Sequence, residues 1–290
     1  MKLTKNIKNL FATILFIFPD RLFCTITFLL KNRRLPDLNK PVYFNDKLLW
    51  LKLNRRDPIQ NVIVDKFAVR NYIKEKIGEE YLIPLIGLYN NFEGINFDEL
   101  PNKFVLKITN GSQNNIVCTD KSELDWIKVS NQVNKWLNIN YYKRTREWQY
   151  KDVKAQIIIE HYLDDPSGDL CDYKFYCFNG EPKFIQIDSA RFASHKRDFY
   201  NIDFNEKLKY KMTYPNSDSQ LIKPDNYKQM VSIAKRLSNN FEYLRVDLYN
   251  VKGKVYFGEL TLYPDNCNGR IESKLSEYEI GSLLILNELN

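Results

Sequence analysis

Two stretches near the C-terminus alternate with period two. Leu244, Val246 and Leu248 stand between Arg245, Asp247 and Tyr249; after Asn250-Val251-Lys252-Gly253, Val255, Phe257 and Glu259 alternate with Lys254, Tyr256 and Gly258. Such alternation marks strands, and a short Gly-containing loop between them marks a hairpin. The same reading predicts a strand in "FVLKIT" (104–109), a loop in "NGSQNN", and a return strand at 116–118. "AQIIIEHYL" (155–163) reads as a buried strand, and "YKFYCFNGEPKFIQID" (173–188) as a hairpin turning at Asn179-Gly180. Helical spacing covers 45–53, 59–77 with Gly78 as its cap, 122–139, 227–237 and 272–286. Antiparallel hairpins flanked by helices, without internal repeats, give an α+β class.

The N-terminus departs from this pattern. Residues 10–18 and 22–30 are apolar runs separated by Pro19-Asp20-Arg21, with Lys2, Lys5 and Lys8 before them and Lys31, Arg33 and Arg34 after. Neither run reaches the roughly 20 residues of a bilayer span, and no small-residue cleavage site follows. Two readings fit: helices packed on the protein's own core, or a segment of residues 1–31 lying on an anionic membrane surface. The 290 residues suffice for one large or two modest domains, and a formal charge of +7 is too modest to point to nucleic acid. Five dispersed cysteines without a CxxC pair suit free thiols in a reducing, cytoplasmic setting, and two histidines leave little room for a zinc site.

Charges inside apolar strands are costly unless paired or used. Lys107 interrupts "FVLKIT", Glu160 ends "IIIE", Lys174 and Arg245 flank strands, and Asp247 and Glu259 share one hairpin. Two carboxylates on neighbouring strands repel unless a cation sits between them. Lysines beside a small-residue loop, with an acid pair nearby, suit a polyphosphate and a divalent metal such as Mg²⁺.

"RVDLYNVKGKVYFGEL" resembles the metal-binding hairpin of ATP-grasp enzymes. With "YFNDKLLWLKL", "VDKFAVRNYIKEKIGEEYLIPLIG", "FVLKITNGSQNNI", "REWQYKDVKAQIIIEHYL" and "DYKFYCFNGEPKFIQID", in that order, it is similar to the teichuronopeptide-biosynthesis (TupA-like) branch over roughly 32–286. The resemblance implies an ATP-grasp fold, two α+β subdomains clasping a nucleotide, with an extension and connector at 1–58 and lobes at 59–163 and 164–290. It implies ATP and Mg²⁺. Lys66 and Lys107 would contact phosphates, under a loop of Asn110, Gly111, Ser112, Gln113, Asn114 and Asn115. Glu160, His161, Tyr162 and Leu163 would form the adenine hinge. Lys174 would approach the terminal phosphate, Asp247, Glu259 and Thr261 would hold the metal, and Arg245 would stabilise the reacting centre. Two departures stand out: Thr261 replaces the usual Asn ligand, and the phosphate loop is poor in glycine, its asparagines tolerating positive φ. Arg146, Arg191, His195 and Arg197 are candidate substrate contacts.

The implied activity is carboxylate–amine ligation through an acyl phosphate, on a small-molecule or glycan substrate such as a uronic acid, an amino acid or an amine, in bacterial surface-polysaccharide synthesis at the inner membrane face. A glycosyltransferase of the same setting and a catalytically impaired nucleotide binder are the alternatives; the sequence contains no DxD motif to favour the first.

Overall fold

The computed structural model describes residues 17–166, 168, 170–190, 194–218 and 220–287. It contains two antiparallel sheets. The smaller has the order β1-β4-β2-β3, from β1 (Leu85–Tyr89), β2 (Phe104–Ile108), β3 (Asn115–Cys118) and β4 (Ile157–His161). The larger has the order β7-β6-β5-β8-β9, from β5 (Asp172–Phe178), β6 (Glu181–Ser189), β7 (Lys196–Asn201), β8 (Tyr243–Val251) and β9 (Lys254–Thr261). Two-residue turns close β5–β6 at Asn179-Gly180 (φ 49° and 81°) and β8–β9 at Lys252-Gly253 (φ 52° and 79°). Positive φ at both turn residues matches the twist of the flanking strands.

Each sheet has its own apolar core. Phe104, Leu106 and Ile108 of β2 and Ile157 and Ile159 of β4 pack with Val129 and Val133 of α5 (Trp126–Leu137). The larger sheet buries Phe175, Ile185, Val246 and Leu248 with Met230, Ile233 and Leu237 of α7 (Tyr227–Ser238). The same core takes in four N-terminal helices, α1 (Asp20–Asn32), α2 (Phe44–Asn54), α3 (Ile59–Val64) and α4 (Val69–Lys76), through Phe28, Leu48, Leu49, Ile63 and Ile73. Burying an aliphatic or aromatic side chain of this kind contributes about 1.5–3 kcal/mol, so the helices are integral to the larger sheet's core. The C-terminal α8 (Lys274–Ser282) adds Ile280 to it. Of the N-terminal apolar runs, 22–30 forms α1 and buries Phe23, Cys24 and Phe28, while residues 10–16 lie outside the described residues.

The expected continuous helix over 59–77 is broken. Asp65 is extended (φ −82°, ψ 115°), and its carboxylate accepts from the backbone N–H groups of Phe67 (2.8 Å) and Ala68 (3.1 Å). An aspartate that offers its side chain to nearby amides competes with the helix ladder. The break frees the Lys66 N–H, which bonds the Thr109 carbonyl at the end of β2 (2.9 Å). Strand β7 and the short α6 (Tyr141–Thr145) are elements the periodicity did not predict.

Candidate active site

One face of the larger sheet is charged where the other is apolar. Register places the charges in rows. Asp172 stands opposite Asp188, which stands opposite Arg197. Lys174 lies between Gln186 and Asp247, and Asp247 is opposite Glu259. Arg245 is opposite Thr261. Strict alternation would put Glu259 in phase with Val255 and Phe257, on the apolar face. A bulge corrects this: Leu248 pairs with Phe257, Asp247 with Glu259, and Gly258 is the extra residue. A Cβ on Gly258 would lie 3.0 Å from the Asp247 carbonyl oxygen, so the bulge leaves little room for a side chain there.

The network on this face is closed. Lys174 Nζ donates to Asp172 Oδ2 (2.5 Å) and Asp247 Oδ2 (2.8 Å). Arg245 donates to both Asp247 oxygens at 2.7 Å and to Thr261 Oγ1 at 3.1 Å. Arg197 forks onto Asp188 (2.7 and 3.1 Å), with His195 Nε2 at 3.4 Å from the same carboxylate and its ring stacked on Tyr214. Burial alone would push these carboxyls up. Arg245 and Lys174 instead hold Asp247 below its ordinary value, and Arg197 does the same for Asp188. Burial works against the Lys174 charge, but Asp172 and Asp247 outweigh it and its pKa rises.

A narrow cleft opens beside this face, lined by Lys66, Arg70, Lys107, Glu160 and Glu259 with apolar neighbours including Ile83 and Phe257. Glu160 bridges Lys107 (2.7 Å) and Arg70 (2.9 Å). Lys66 donates to the Gly111 carbonyl (2.6 Å) and stands 4.0 Å from Glu259. Desolvation lowers the Lys66 pKa. Lys66 therefore touches the β2–β3 loop and β9, which belong to different sheets. In that loop the positive φ falls on Gly111 (76°) and Gln113 (64°), not on Asn110, Asn114 or Asn115. Asn110 is buried, Ser112 shares a hydrogen bond with Tyr141 (2.7 Å), the Asn114 carbonyl accepts from Ile108 N–H, and Asn115 pairs with Lys107 as β3 begins. Beyond Glu160, His161 is exposed with its N–H on the Pro84 carbonyl, and Tyr162 and Leu163 are half-buried.

Not every expected residue gathers here. Arg146 belongs to α1's surroundings: it lies 3.6 Å from Asp20 and stacks over Phe23 and Tyr142, so an ion pair and two ring faces engage it. Arg191 lies outside the described residues. Sequence reasoning missed Arg70, four residues after Lys66 within "VDKFAVR", and Asp172, which the i, i+2 spacing with Lys174 places on the same strand face. It also missed Glu147, buried with Gln149 Nε2 donating to it (2.9 Å) and its carboxyl pushed up to about 7 by burial. The nearby buried Lys52 spends its hydrogen bonds on the Thr145 carbonyl (2.7 Å) and Asn266 Oδ1 (2.5 Å).

The chemistry of the donor set suits magnesium, which takes one or two carboxylates and keeps several waters. Asp247 and Glu259 face each other with Thr261 one row away, all oxygen donors. No cluster of three or more His, Cys, Asp or Glu side chains placed for a metal occurs among the described residues.

Two sheets with a charged face and a lysine-lined cleft between their edges make this an ATP-grasp fold. Within that class the chain belongs to the TupA-like ATPgrasp family, whose profile matches residues 46–284. Similar solved structures include the D-alanine–D-alanine ligase of Bacillus anthracis complexed with ATP (17% identity, 69% of this chain and 54% of that one, TM-score 0.41). Others are the D-alanine–D-alanine ligase of Helicobacter pylori (13%, 84% and 69%, 0.45) and the L-amino acid ligase of Bacillus licheniformis (12%, 75% and 48%, 0.43). The chain spans about half the length of the first and third of these. Comparison with curated proteins gives no match.

Proposed function

We propose that the chain is an ATP-dependent carboxylate–amine ligase. The observation that carries this reading is the convergence of Lys66, Lys107, Glu160 and Glu259 on one cleft beside the Lys174–Asp247–Arg245 network. Lys66, Lys107 and the amides of the 110–115 loop supply positive charge for phosphate oxygens. Glu160 to Leu163 border the place for the base. Asp247 and Glu259, with Thr261 beside them, are the oxygen donors for Mg²⁺, which when bound neutralises phosphate charge. Lys174 and Arg245 stand where negative charge would develop; Arg245 offers a fixed fork of donors for that purpose.

In the proposed reaction the γ-phosphoryl group of ATP passes to a substrate carboxylate, releasing ADP. An amine then attacks the acyl carbon, its lost proton leaving to solvent or a base, and phosphate departs as the amide forms. The protein contributes placement and charge stabilisation. By family kinship, the substrates are a uronic acid or amino acid and an amine of surface-polysaccharide synthesis, and His195 and Arg197, held near Asp188, are candidates for binding the acceptor. ADP and phosphate release, assayed with paired carboxylates and amines, tests the reading. One ADP and one phosphate per amide are expected, with neither product released fully on one substrate alone. Tight binding of UDP-sugars without any response to ATP would overturn it in favour of glycosyl transfer.

A further inference from the structure

Helix α1 is apolar on two sides. Phe23, Cys24 and Phe28 face the core, whereas Leu22, Ile26, Leu29 and Leu30 follow the i, i+4, i+7, i+8 spacing along a second stripe. Leu22 is 44% exposed, Leu29 40% and Leu30 64%. A helix apolar on all sides is ordinarily covered on all sides.

Charge says what covers it. Residues 1–34 hold seven Lys and Arg (Lys2, Lys5, Lys8, Arg21, Lys31, Arg33, Arg34) and one acid, Asp20, a net +6; the remaining 36 bases and 35 acids of the chain nearly cancel. Asp20 is engaged by Tyr142 (2.9 Å), Arg56 (3.4 Å) and Arg146 (3.6 Å), and Arg34 by Asp46 (2.7 Å) and Glu277 (3.0 Å). Arg21 and Arg33 are exposed beside the stripe, and Lys31 is exposed at the helix end on the line of Cys24 and Phe28. No helix among the described residues is long and apolar enough to cross a membrane. A shallow apolar stripe rimmed by exposed bases suits binding in the plane of a bilayer.

We infer that the outer stripe of α1 docks on an anionic lipid surface. This inference does not depend on the ligase reading. The full chain should sediment with vesicles of phosphatidylcholine mixed with phosphatidylglycerol and far less with phosphatidylcholine alone. Each base near the surface is worth about a fivefold change in partition, so Arg21→Gln with Arg33→Gln should lower it roughly 25-fold. Leu29→Ser with Leu30→Ser should lower it more than about tenfold, with an unchanged thermal midpoint, because neither leucine is in the core. Equal partition to both vesicle types, or none to either, overturns the inference. So does self-association of the full chain that the leucine variant abolishes, which would give the stripe to a second copy.

Discussion

On the larger sheet, Asp247 is buried with both oxygens held by Arg245 and one also by Lys174. Across the row, the Glu259 side chain keeps 39% of its exposure and meets Lys66 only at 4.0 Å. Two carboxylates expected to share one metal thus rest in opposite states, one saturated by cations and one open to solvent. The cleft-side pair of Lys107 and Glu160 falls between, with side chains 18% and 10% exposed. The contrast teaches which part of the site is built by folding and which is left for a ligand. Removing one member of a buried ion network leaves a charge without compensation, whereas an exposed pair contributes little.

The largest expected effect follows directly. Asp247→Ala leaves Arg245 and Lys174 buried with Asp172 as the remaining carboxylate of the group, and it should cost about 3–5 kcal/mol. Urea unfolding measures it; a loss under about 1 kcal/mol would mean the network is not the structural element described. Because the folded Asp247 carboxyl is held below its ordinary value, its contribution is present above that value and fades as pH falls through the folded pKa.

Glu147 sharpens the comparison by being buried without a bonded cation. Its folded pKa of about 7 lies above the ordinary 4.5, so between these values the fold holds a proton that the unfolded chain has released. Stability should therefore decline as pH rises from 4.5 to 7, by up to about 3 kcal/mol. Glu147→Gln should gain roughly that amount over the unsubstituted protein at pH 8 and little at pH 4.5, as read by unfolding curves at the two values. A pH-independent difference would show that the carboxyl titrates alike in the folded and unfolded chain.

Much of this arrangement is legible in the sequence. The two hairpins, their Gly-containing turns and the α+β class follow from period-two alternation and turn chemistry, which act locally. The charges in strands flag Lys107, Glu160, Lys174, Arg245 and Asp247 because such residues need partners. What alternation hides is the bulge at Gly258, without which Glu259 would face the core with Phe257; only pairing with β8 reveals it. The break at Asp65 is equally hidden, since the apolar spacing continues through it while a single side chain caps the amides beyond. The Arg146 guanidinium was unreadable for another reason: its partners on α1 lie more than 100 residues away in the chain. Exposure of one α1 stripe is likewise a property of packing, which composition alone does not fix.

A smaller effect is expected at Glu160. Glu160→Gln removes two ion pairs, but Arg70 keeps the Ile83 carbonyl (2.9 Å) and Lys107 is partly solvated, so the cost should be about 1–2 kcal/mol. Lys107→Met should cost no more in stability, yet weaken ATP binding by removing a point charge from the phosphates. Equal ATP affinity in that variant, measured by calorimetry, would detach Lys107 from the nucleotide.

The smallest effect on folding belongs to Glu259. Its ion pair with Lys66 is long and its side chain exposed, so Glu259→Gln should change stability by less than about 1 kcal/mol. Its strand position is untouched, because the bulge depends on Gly258 and the backbone of Asp247, not on the Glu259 carboxylate. The same substitution removes the one carboxylate of the row that no cation holds within hydrogen-bond distance. ATP affinity should therefore lose most of its dependence on added Mg²⁺ while the unfolding midpoint stays put. Asp247→Ala cannot separate those outcomes, since it disturbs fold and ligand together. If Glu259→Gln leaves the Mg²⁺ dependence intact, the open carboxylate is not the metal's point of entry, and the difference between the two acids is one of solvation alone.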